Sequence, residues 1–138
     1  MNFPKSVLLI DDDEVNNFII SEWISENKPE VTFTIIDNVS DAIEYLKAQN
    51  DESFPQLILC DLRMPNYNGY DFLQHYETLF YPSNLMTQII VMSAHLAKQD
   101  IEKLKAFQFI TDTLIKETVQ ENFKKISESY KNKPASEG

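Results

Sequence analysis

The sequence predicts an α/β domain built on a parallel sheet. Five short apolar runs, at 7–10, 31–36, 57–60, 88–92 and 113–115, alternate with longer stretches of helical period. No internal repeat breaks that alternation, and with only two glycines the chain is neither low-complexity nor linker-rich. Its 138 residues, 43% of them hydrophobic, suit a single packed core. One domain is expected over residues 1–130, followed by a polar, disordered tail, KNKPASEG, at 131–138.

Val7 to Ile10 reads as a buried first strand. Helical spacing through Val15, Phe18, Ile19, Trp23 and Ile24 predicts a first helix with those residues turned inward, stopped at Asn27-Lys28-Pro29. VTFTII (31–36) is rich in β-branched residues and reads as the second strand. The second helix runs from about Asp41 to Gln49 over Ala42, Ile43 and Leu46. Leu57 to Cys60 is the third strand, and LRMPNYNG after Asp61 is turn chemistry through Pro65, Asn66, Asn68 and Gly69. A third helix through Phe72, Leu73, Tyr76 and Leu79 ends before Pro82. Gln88 to Met92 is the fourth strand, LAKQDIEKLKAF a charged fourth helix, and Thr113 to Ile115 a weak fifth strand. A last helix over 118–130 opens on the capping-box pattern of Thr118 and Glu121 and buries Val119, Phe123, Ile126 and Tyr130.

Composition excludes several functions. A formal net charge of −10 argues against nucleic acid and against an anionic membrane surface, since both need clustered Lys and Arg. No apolar stretch approaches the roughly 18 residues of a spanning helix, and no signal-peptide pattern is visible. Cys60 is the sole cysteine, which rules out an intramolecular disulfide and a Cys-rich zinc site; it reads as a small core residue in a cytoplasmic protein.

Right-handed crossovers bring all strand C-termini of such a sheet to one edge, where ligands bind. The first strand ends in Asp11-Asp12, the third in Asp61, the fourth in Ser93 and the fifth in Lys116. Three converging carboxylates call for a cation, and Mg2+ suits hard oxygen donors that leave room for water and phosphate oxygens. Asp61 is then a candidate nucleophile for in-line phosphoryl transfer, with Ser93 and Lys116 placed to hold the phosphoryl oxygens. Bland readings stand beside this one. Asp13 can cap the first helix, and Asp11 with Glu14 can do the same. No glycine or distant Glu falls at the offsets of a calcium EF-hand loop. Asp11 and Asp13, two residues apart at the first strand's end, also match the spacing of a haloacid-dehalogenase-type phosphatase, although Asp61 has no place in that scheme.

The segments LLIDDDEVNNF, LILCDLRMPNYNGYDFL, VMSAH and LIK, in that order, resemble the receiver domain of two-component response regulators over residues 5 to about 130. The resemblance implies a flavodoxin-like (βα)5 three-layer sandwich with a five-stranded parallel sheet of order 2-1-3-4-5. It implies Asp61 as phosphoacceptor, Asp11 and Asp12 as the acid pair of a Mg2+ site, and the backbone carbonyl of Arg63 as a further ligand. Ser93 and Lys116 take the switch hydroxyl and lysine places. His95 and Arg63, two positions past Ser93 and Asp61, correspond to residues that flank the phosphoryl group and modulate its lifetime.

Receivers take phosphate from a histidine kinase or histidine phosphotransfer protein. The expected output is a protein-protein interaction with an unknown partner through the fourth helix, fifth strand and fifth helix, with no output domain following. Three positions depart from the family pattern: Glu117 replaces a proline, Thr113 an aromatic residue, and Asn68 an aspartate. Aromatic-coupled signalling is therefore not expected in its usual form. A pseudo-receiver that binds a partner without phosphorylation is the alternative.

Overall fold

The computed structural model describes residues 3–64, 68–118 and 121. Most of the last expected helix, the tail at 131–138, and Pro65 and Asn66 of the expected turn lie outside them. In chain order the elements are β1 (Ser6–Ile10), α1 (Glu14–Asn27), β2 (Thr32–Ile36), α2 (Val39–Lys47), β3 (Leu57–Asp61), α3 (Gly69–Leu79), β4 (Gln88–Ser93), α4 (Lys98–Leu104) and β5 (Ile110–Ile115). Short 3-10 turns lie at Tyr81–Ser83 and Lys116–Thr118. All strand pairs are parallel, and the sheet order is β2-β1-β3-β4-β5. This is the expected flavodoxin-like arrangement.

Strand periodicity divides the core in two. Val7, Leu9, Leu57, Leu59, Ile90 and Met92 face α1 and pack with Ile20 and Ile24. Leu8, Ile10, Ile58, Cys60, Ile89 and Val91 face the other way, against α2, α3 and α4. β3 is buried throughout and the edge strands β2 and β5 much less so, the usual profile of a parallel sheet covered on both faces. Cys60 is fully buried in this core, and burial pushes its thiol pKa up, which suits a packing role.

The inward face of α1 differs from the periodic expectation. Val15 and Phe18 are 70% and 65% exposed, whereas Asn16, Ile20 and Ile24 are buried. Asn16 turns inward because its amide donates to Asp11 Oδ2 at 2.8 Å, so polar satisfaction at the helix start sets the rotation of the helix. Trp23 is half-buried and packs beside Phe3, with ring centroids 5.8 Å apart.

Two further details position the strand ends. β5 begins at Ile110, three residues before the expected run, and its pairing with β4 slips by one residue: Ile89 faces Ile110, but Ile90 faces Asp112. Thr111 is thus the extra residue of a bulge. Because of it Ser93 lies beside Ile115 and Lys116 follows at the rim; an unbroken register would bring Lys116 in one residue out of step.

Asn68 and Gly69 open a helix and are not merely a turn. Asn68 caps α3, accepting from Asp71 N–H at 3.1 Å, while Asp71 accepts from Asn68 N–H at 3.2 Å. Gly69 donates its N–H to the Leu62 carbonyl at 2.8 Å. A Cβ there would sit 2.6 Å from the Asp61 carbonyl oxygen and 2.8 Å from Leu62 Cα. Both obstacles are backbone, so the close approach itself demands glycine. Gly69→Ala is therefore expected to destabilise the fold by about 1–3 kcal/mol. A lower urea midpoint at unchanged m-value would record it.

Candidate metal and phosphoacceptor site

Register alone brings the acids together. Ile10 pairs with Cys60, so Asp11 and Asp61 emerge side by side from β1 and β3. Asp11 is 0% and Asp61 2% exposed, while Asp12 next to them is exposed. One oxygen from each of Asp11, Asp12 and Asp61 falls within 4.8 Å of the others.

Lys116 reaches this cluster from the end of β5. Its Nζ lies 3.0 Å from the Asp11 carboxylate, 3.1 Å from Asp61 Oδ2 and 3.5 Å from Asp13 Oδ2, with 12% of the side chain exposed. Burial tends to lower the lysine pKa, but the hydrogen bond and charge of Asp11, with those of Asp61, hold it above its ordinary value. The ammonium is fixed in its charged form.

One ammonium does not balance the acids. Burial first, and the neighbouring Asp11 second, push the Asp61 carboxyl up to about 7, against the pull of Lys116 and the Arg63 backbone amide. A carboxylate in that position gains from any further cation. Hard oxygen donors, an exposed Asp12 with no hydrogen bond or ion pair of its own among the described residues, and residual negative charge fit Mg2+ well.

Asp11 has a different standing from Asp12. Its Oδ1 accepts from Asp13 N–H at 2.9 Å and its Oδ2 from the Asn16 amide at 2.8 Å, with Lys116 beside both. Asn17 Nδ2 donates to the Asp11 backbone carbonyl at 2.9 Å. Asp13 is the cap of α1, its Oδ1 accepting from Val15 and Asn16 N–H at 3.1 Å each. These bonds, Asn16 first among them, hold its carboxyl below the usual range against the effect of burial. The Asp11–Glu14 capping reading is displaced by this arrangement. The Asp11/Asp13 phosphatase spacing leaves without a role the buried Asp61, which shares Lys116 with Asp11.

Ser93 ends β4 buried, and its Oγ accepts from His95 N–H at 3.4 Å. The His95 side chain is exposed. Arg63 sits just past β3 with its N–H directed at Asp61 Oδ1, 3.3 Å away. Its guanidinium points elsewhere: Nη2 donates to Asp100 Oδ2 at 2.7 Å. Asp100, near the start of α4, also accepts from Ala97 N–H at 3.0 Å and from the Tyr70 hydroxyl at 2.8 Å. The Ala97 bond leads the causes that lower its pKa. Tyr70's own pKa rises to about 12, through burial first and Asp100 second.

The strand-end residues Asp11, Asp12, Asp61 and Lys116 thus meet at one rim, with Ser93 on the neighbouring strand end. Sequence reasoning missed Asn16, Asn17, Tyr70 and Asp100. Asp100, an acid in the first turn of α4, carried a helix-start signal, but its link to Arg63 is tertiary.

A response regulator receiver domain model matches residues 7–128. The chain is 34% identical over 108 residues to protein-glutamate methylesterase/protein-glutamine glutaminase 1 of Myxococcus xanthus, covering 76% of this chain and 29% of that one. It is 30% identical over 99 residues to the regulator of RpoS of Escherichia coli K12, covering 72% and 26%. It spans less than a third of these curated relatives. Among solved structures, a two-component response regulator from Legionella pneumophila superposes with a TM-score of 0.79 at 22% identity, over 93% of this chain and 98% of that one. One from Cytophaga hutchinsonii gives 0.73 at 23%, over 90% and 97%. Among the described residues no helix is long and apolar enough to cross a membrane. With its sheet order, its acidic rim and this match over most of its length, the chain belongs to the response regulator receiver domains of two-component signalling.

Proposed function

We propose that the chain is a Mg2+-dependent phosphoacceptor, phosphorylated on Asp61 by a histidine kinase or histidine phosphotransfer protein, whose phosphorylated form binds another protein. The observation that carries this reading is the pairing of Lys116 with both Asp11 and Asp61 beside the exposed Asp12. Asp61 Oδ attacks the phosphorus of a phosphohistidine. The P–N bond breaks, the imidazole leaves and takes a proton, and an acyl phosphate forms. Lys116 and Ser93 then hold phosphoryl oxygens, the first by charge and the second by hydrogen bond.

Asp11, Asp12, Asp61 and the Arg63 backbone carbonyl would hold Mg2+, which would supply charge neutralisation at the phosphoryl oxygens. The same ion would favour the ionised, nucleophilic form of Asp61, whose carboxyl burial and Asp11 push up to about 7. Arg63 and His95 flank the acceptor and tune the lifetime of the phosphorylated state. The receiver spans residues 1–130 and acts as a cytoplasmic signalling module, without an enzymatic substrate of its own. Its output surface includes α4, where Ile101 is exposed.

Incubation with labelled acetyl phosphate is expected to label the wild type only with Mg2+ present, and Asp61→Asn not at all. Undiminished labelling of Asp61→Asn overturns the acceptor assignment.

A second expectation concerns pH. The Asp61 carboxyl titrates near 7 in the folded chain and near 3.9 when unfolded. Between those values the folded state binds more protons, so stability is greatest at the acidic end and falls as pH rises through the folded pKa. Metal-free wild type should therefore melt lower at pH 8 than at pH 5, and Asp61→Asn should flatten that difference. Mg2+ should raise the melting temperature more at pH 8 than at pH 5. Parallel pH profiles for wild type and variant would contradict the stated origin.

A further inference from the structure

We propose that Asp100 is a positioning residue for the phosphoacceptor loop and that, through Arg63, it couples the state of Asp61 to the first turn of α4. The proposal rests on the acceptor reading of Asp61. Arg63 is bonded at both ends: its backbone N–H contacts Asp61 Oδ1 at 3.3 Å and its Nη2 contacts Asp100 Oδ2 at 2.7 Å. Asp100 in turn holds Ala97 N–H and the Tyr70 hydroxyl. One buried carboxylate therefore ties together the loop after β3, the first turn of α3 and the start of α4.

A cap on α4 would need only the Ala97 bond. Tyr70 and Arg63 come from 30 and 37 residues away in the chain, so the carboxylate serves a tertiary joint as well. Lys103, on α4, adds a second tie, lying 5.3 Å from the centre of the Tyr70 ring. An exposed ion pair alone would contribute little. Here the Arg63 guanidinium is largely exposed but the Asp100 carboxylate is buried, and removing a partner from a buried charge carries a larger penalty.

The joint lies where a signal must pass. A phosphoryl group on Asp61 alters the acceptor of the Arg63 N–H, the backbone of a residue whose guanidinium is committed to Asp100. Thr113 occupies the place of the usual aromatic reporter and offers no ring to move. Arg63 and Asp100 provide a route to α4 that needs none. Because coupling is reciprocal, a variant that breaks the joint must also change ligand binding at the acceptor.

The test uses beryllofluoride, a stand-in for the phosphoryl group, with Mg2+ on the full chain, followed by backbone amide NMR. Wild type, Asp100→Asn and Arg63→Gln are compared. Arg63→Gln leaves Asp100 on Ala97 and Tyr70, so it separates the joint from the cap. In wild type, shifts are expected at Ser93 and Lys116 and also over Ala97 to Ile101. Both variants should keep the first set and lose at least half of the second. In both, the Mg2+ concentration for half-saturation should shift roughly fivefold in the same direction. Full α4 shifts and unchanged half-saturation in both variants would overturn the coupling. Loss in Asp100→Asn alone would overturn it too, reducing Asp100 to a cap. Absence of any wild-type shift around Asp61 would instead overturn the acceptor reading, and the coupling with it.

Discussion

The ammonium of Lys116 is the group on which the rim of this sheet depends. Adjacent parallel strands deliver Asp11 and Asp61 side by side and almost wholly buried, an arrangement in which like charges repel and water cannot screen them. Lys116 bridges the two at 3.0 and 3.1 Å. It arrives in step only because Thr111 bulges out of β5 and advances the chain by one residue. Backbone register thus decides electrostatics. The compensation stays partial, as the raised pKa of Asp61 records. That shortfall leaves net negative charge at the rim, which a divalent cation would offset.

The other side of Asp61 is held by shape and hydrogen bonds. Gly69 lies against the Asp61 and Leu62 backbone with no room for a Cβ, and its N–H closes the loop onto the Leu62 carbonyl. The Arg63 amide faces the acceptor oxygen while its guanidinium is drawn to α4. The carboxylate is therefore gripped between a charged wall at β5 and a neutral, close-packed wall at α3. A change of charge at Asp61 meets different resistance on its two sides. The α3 side gives way through hydrogen bonds worth roughly 1 kcal/mol each, while the Lys116 side pulls harder as negative charge is added.

Most of the architecture was legible because the core strands obey simple rules. β1, β3 and β4 are continuous apolar runs whose burial follows directly from composition. The strand ends located Asp11, Asp12, Asp61, Ser93 and Lys116 without any knowledge of pairing. β5 was legible only in its last three residues, because its outer half is polar and its bulge breaks the period. Asp100 was not legible as part of the site: its partners Tyr70 and Arg63 come from other elements, and local spacing reports only the helix start. Gly69 looked like a turn residue, whereas its role is to let two backbone segments approach.

The rotation of α1 shows why such misreadings gather at the rim. Apolar periodicity would turn Val15 and Phe18 inward, yet Asn16 takes the buried position and they face out. Burying an amide is tolerable only when it is bonded, and Asn16 finds its acceptor in Asp11 Oδ2. An apolar residue in its place would take one of two partners from that buried oxygen, leaving Lys116 alone beside it. Losing a hydrogen bond to a buried carboxylate costs about as much as burying one more side chain gains. Polar demand at the strand ends therefore overrides hydrophobic pattern in the adjoining turn. A few residues farther on, at Ile20 and Ile24, the pattern governs again. Departures from local rules within a well-packed α/β core thus mark where the chain carries charge for a purpose.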